Sequence, residues 1–131
     1  MDARLHELLK NTLAQFPQIF LAIVFGSVAT GRQRMESDLD IAVGAHQALS
    51  VTEKIALINA LSDATGRAID LIDLNDVSEP LLGQIVCLGQ RILGSDTAFG
   101  NLLSRHLFEQ ADFMPYRTRI LAERRMAWIG K

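Results

Sequence analysis

Residues Ile19 to Phe25 form an uninterrupted, partly β-branched apolar run that stops abruptly at Gly26-Ser27. Seven residues are too few for a membrane span, which needs roughly 20. The run therefore reads as a strand buried in a core. A second strand is predicted over Leu39 to Val43, and its entry is polar: Asp38-Leu39-Asp40. A third, Ala68 to Leu74, carries Asp70 and Asp73.

Helical patterns alternate with these strands. Leu5, Leu8, Leu9, Leu13 and Phe16 recur at helical spacing over residues 2 to 16, and Pro17 ends the pattern. Ser50 and Glu53 have capping-box spacing and predict a helix over about Val51 to Thr65, with Gly66 as its C-cap. Ser78-Glu79-Pro80 opens a short helix through about Leu88 with proline in its first turn, and Gln90 to Leu93 reads as a short edge strand. From Asp96 the pattern is helical to residue 131, with Pro115 as a kink or break. The predicted fold class is α/β (α+β): a small mixed sheet flanked by helices, in one domain over residues 1–131 with a helical C-terminal tail.

Composition narrows the function classes. A net charge of -2 gives no basic field for nucleic acid or an anionic membrane, so no direct nucleic-acid binding and no membrane association are expected. The single cysteine, Cys87, cannot form an internal disulfide. Met1 to Asn11 carries charges of both signs and no apolar signal-peptide core. Both point to the cytoplasm. Cys87, in an apolar helical stretch, is expected to pack, and His6, His46 and His106 are expected to be surface or core residues.

Two aspartates at positions i and i+2 of a strand project from one face. Asp38 and Asp40 therefore aim at one point, where like charges either take up a proton or hold a cation between them. Oxygen ligands favour Mg²⁺ or Mn²⁺, and no His/Cys cluster suggests zinc. Asp70 supplies a third carboxylate if its strand lies alongside. It is preferred to Asp73, which faces the other way at the strand's end. Gly26 allows close backbone approach to an anion, and Ser27 adds a hydroxyl donor. Arg32 and Arg34 are either phosphate clamps or exposed loop charges. Ser37 is read as a turn cap. The C-terminal arginines Arg117, Arg119, Arg124 and Arg125 mark either a solvated helix face or a docking surface, and Trp128 is read as packing on the domain or a partner.

Gly26-Ser27, ten residues, then Asp38-Leu39-Asp40 resembles the signature of the DNA polymerase β-like nucleotidyltransferase superfamily. Size and the stretch Gly31 to Val43 resemble the minimal nucleotidyltransferases (MNT), and within them the MntA-type antitoxins of HEPN–MNT toxin–antitoxin pairs. The resemblance implies that Gly26, Ser27 and Arg32 hold the nucleotide. It implies that Asp38, Asp40 and Asp70 bind metal, Mg²⁺ as two ions, and that Asp70 accepts a proton from the attacking hydroxyl. The implied reaction moves AMP from ATP to a tyrosine of a HEPN-type ribonuclease toxin and silences it. A domain this small leaves little to enclose a second substrate, which independently favours an acceptor presented by another macromolecule. Two alternatives stay open: a small-molecule (antibiotic-type) nucleotidyltransferase, and a non-catalytic antitoxin that covers its toxin.

Overall fold

The computed structural model describes residues 1–26 and 38–111. Ser27, Arg32, Arg34 and Ser37 lie outside the described residues, as do Pro115, the tail arginines and Trp128. The described chain runs α1 (Ala3–Leu13), β1 (Ile19–Phe25), β2 (Leu39–Ala45), α2 (Val51–Thr65), β3 (Ile69–Asp73), α3 (Leu81–Leu88) and β4 (Gln90–Leu93). A further helix, α4, occupies 96–111.

The four strands form one mixed sheet in the order β3-β2-β1-β4. β1 runs antiparallel to both β2 and β4, while β2 and β3 are parallel. Antiparallel neighbours can be joined by a loop; the parallel pair needs a crossover, and α2 provides it. The α2 ends follow the sequence signals. Ser50 and Glu53 close a reciprocal capping box, and Gly66 ends the helix with φ 69°.

Both sheet faces are covered, which is why β1 is apolar at every position. Ala22 and Val24 of β1, with Ile41 and Val43 of β2, pack among Leu5, Leu9, Leu13, Leu57 and Leu61 of α1 and α2. Leu21, Ile23 and Phe25 face the other way, with Ala42, toward Leu82, Ile85 and Val86 of α3 and Leu102 of α4. Leu9, Leu13 and Leu61 are fully buried, and each such side chain contributes about 1.5–3 kcal/mol by leaving water.

Four sequence expectations are corrected. α1 is shorter than 2–16: Asp2 caps it, and it ends at Leu13 in turns where Gln15 and Phe16 N–H groups bond Thr12 and Leu13 carbonyls, before Pro17 is reached. β2 continues to Ala45 because Gly44 and Ala45 pair with β1. β3 is Ile69–Asp73, with Ala68 and Leu74 bonded to β2 only at its ends. Pro80 is the N-cap of α3 rather than part of its first turn.

Candidate active site

The site grows out of strand register. Phe25, the last residue of β1, pairs with Asp40, the second of β2. Asp40 in turn pairs with Asp70, the second of β3. Gly26 follows directly after Phe25, and Asp38 directly precedes β2. One end of the sheet therefore collects Gly26, Asp38, Asp40 and Asp70 from three adjacent strands. Asp40 shares its parity with Ala42, and Asp70 with Ile72, so both project from the face covered by α3 and α4.

The carboxyls interact. Asp40 is half-buried, while Asp38 and Asp70 are exposed. Burial, a side-chain hydrogen bond with Asp70, the Asp70 charge and then the Asp38 charge raise the Asp40 carboxyl above its ordinary pKa. A hydrogen bond between two carboxyls needs a proton on one of them, and that proton relieves the repulsion between their charges.

Gly26 is shaped for this neighbour. Its φ of +74° is a conformation that side chains rarely adopt, and a Cβ there would overlap Asp40 Oδ2. Glycine thus brings the β1 backbone against the Asp40 carboxyl.

Asp73, the other acid of β3, does different work. It is buried, and its carboxylate accepts the Leu49 and Asn75 N–H groups, each at 2.9 Å. It ties the loop before α2 to β3 and belongs to the opposite face.

Among the described residues, no three His, Cys, Asp or Glu side chains are drawn together as a metal-holding group. The donors nevertheless suit a hard divalent cation. Burial, the hydrogen bond with Asp70 and the charges of Asp70 and Asp38 all favour a proton on Asp40. A cation is the alternative to that proton for relieving the same repulsion, and oxygen-only donors match Mg²⁺ or Mn²⁺.

Other expectations can now be placed. His106 is a core residue, as expected, and is paired with Glu79. Cys87 is exposed, contrary to expectation. The buried stripe of α3 is Leu82, Ile85 and Val86, which turns the next residue, Cys87, outward with Leu88. No helix among the described residues is long and apolar enough to cross a membrane.

Residues 7–98 match the family "Polymerase beta, Nucleotidyltransferase". The chain belongs to this family. Within the polymerase β nucleotidyltransferases, Protein adenylyltransferase MntA of Shewanella oneidensis is 32% identical over 90 residues, a stretch covering 69% of this chain and 65% of that relative. The matched stretch thus spans just under two thirds of the relative's length. Among solved structures, a toxin–antitoxin with AMP-PNP superposes with a TM-score of 0.77 at 26% identity, over 90% of this chain and 96% of that one. A tri-AMPylated Shewanella oneidensis HEPN toxin in complex with MNT antitoxin gives a TM-score of 0.68 at 24% identity, over 90% and 97%, a likeness of fold.

Proposed function

We propose that this chain is a protein adenylyltransferase antitoxin that moves AMP from ATP to a tyrosine hydroxyl of a HEPN-type ribonuclease partner and thereby silences it. The observation that carries the reading is the hydrogen-bonded Asp40–Asp70 pair, with Asp38 beside it, at the sheet end that Gly26 closes. The similarity to MntA and to a toxin–antitoxin with AMP-PNP supports the choice of nucleotide and partner.

In this reading Gly26, Ser27 and Arg32 hold the triphosphate, with glycine permitting close backbone approach. Asp38, Asp40 and Asp70 are the oxygen ligands for Mg²⁺, which when bound would neutralise phosphate charge and polarise the α-phosphorus. The acceptor oxygen attacks that phosphorus, the bond to the β-phosphate oxygen breaks, and pyrophosphate leaves. Asp70 takes the proton of the acceptor hydroxyl. Asp38 and Asp70 are both exposed, so an acceptor on another macromolecule can reach them. ATP supply and an RNA-cleaving partner assign the reaction to the cytoplasm.

The test is to incubate the protein with Mg²⁺, its HEPN-type partner and ATP labelled at the α-phosphate, with γ-labelled ATP as control. The α-label should appear on the partner and the γ-label should not. A folded protein that leaves the partner unlabelled, or labels a small alcohol equally well without it, contradicts the reading.

A further inference from the structure

A second constellation lies outside the aspartate site. Glu79 precedes α3, and His106 stands on α4. His106 is only 7% exposed, and its Nδ1 pairs with Glu79 Oε1. The other Glu79 oxygen accepts the Gly83 N–H at 3.2 Å. This pair fills the room that a side chain on residue 83 would need: a Cβ there would lie 2.9 Å from His106 Cε1 and 3.0 Å from Glu79 Oε2. Glycine inside a helix costs about 0.5–1 kcal/mol relative to alanine, so its presence in α3 is explained by the space the pair requires.

With Nδ1–H donated to the carboxylate, Nε2 is left as the acceptor nitrogen. It faces the Sγ of Cys87 at 4.0 Å, and Cys87 is exposed. The order is that of an activated nucleophile: an accessible thiol, a buried base within reach, and a half-buried carboxylate fixing the tautomer of that base.

We propose that Cys87 is a thiol–disulfide exchange site, with His106 as its base and Glu79 as the positioning residue, and that its co-substrate is a low-molecular-weight disulfide. The thiol proton passes to His106 Nε2 as Sγ attacks one sulfur of the disulfide. The S–S bond breaks, and the leaving thiolate takes the proton back from His106. Cys87 ends as a mixed disulfide and one free thiol is released, so Cys87 is oxidised and the departing sulfur reduced.

The experiment measures mixed-disulfide formation on the full chain with oxidised glutathione at pH 7, by intact mass. Native protein is compared with the same chain unfolded in urea. An ordinary thiol, with a pKa of about 8.5, is mostly protonated at that pH, so a base at hand should show. The native rate should exceed the unfolded rate by about tenfold or more. His106→Gln should remove the excess, and Glu79→Gln should reduce it. A native rate no faster than the unfolded one overturns the proposal, as does an unchanged rate in a folded His106→Gln protein. If His106→Gln does not fold, the native-against-unfolded comparison with Glu79→Gln decides alone.

Discussion

Asp40 and Asp70 stand opposite one another on the parallel strands β2 and β3, and their carboxyls share a hydrogen bond. Side-by-side carboxyls destabilise each other unless a proton or a cation intervenes. In the metal-free protein the arrangement therefore costs stability once pH is high enough to ionise both carboxyls.

That cost has a sign. The Asp40 carboxyl is raised in the folded chain by burial and then by Asp70 and Asp38. As pH rises past the ordinary aspartate value, the unfolded chain loses this proton first, and the folded chain binds more. The contribution is complete below the ordinary value and is lost as pH rises through the folded value. Thermal melts without divalent metal should show Asp40→Asn gaining on wild type as pH increases, reaching a Tm a few degrees higher near neutrality. A difference that shrinks with pH would reverse the assignment.

Gly26→Ala should fail on two counts. Its φ of +74° disfavours any side chain, and the added methyl would overlap Asp40 Oδ2. The backbone alone costs about 1–2 kcal/mol, and displacing Asp40 should lower transferase activity beyond what the stability loss explains. Denaturant melts and rates measured on the same preparation check both.

The two acids of β3 should separate cleanly. Asp73→Ala strips the Leu49 and Asn75 N–H groups of their acceptor, at about 1–3 kcal/mol, yet should keep AMP transfer under conditions where it is folded. Asp70→Asn should keep the fold and lose transfer by about 10²–10⁴-fold. Circular dichroism beside the transfer assay distinguishes them.

This division was legible in the sequence because a strand has period two: Asp70 and Asp73, three apart, must face opposite ways, and the core contacts agree. The strands Ile19–Phe25 and Gln90–Leu93 and the α2 caps were equally legible, since apolar continuity and cap chemistry are local. The Glu79–His106–Cys87 alignment was not. It joins residues 19 and 27 positions apart through α3 and α4 packing, which no local pattern encodes. One trace existed: Gly83 inside an apolar helix, a glycine that propensity alone does not favour.

The α2 capping box offers a local test. Ser50 Oγ accepts the Glu53 N–H at 3.1 Å, and Glu53 returns a bond to the Ser50 N–H. Ser50→Ala should cost about 1 kcal/mol in urea melts. The Glu53 carboxyl is lowered by that returned bond, so its small contribution should be present at neutral pH and fade as pH falls.

The most direct measurement is calorimetric titration of Mn²⁺ into the ATP-analogue-loaded protein, comparing wild type with the Asp40→Asn, Asp70→Asn double variant. Wild type should bind the ion stoichiometrically and the folded double variant should lose that binding. Equal Mn²⁺ affinity in both proteins would contradict a catalytic centre built on these carboxylates.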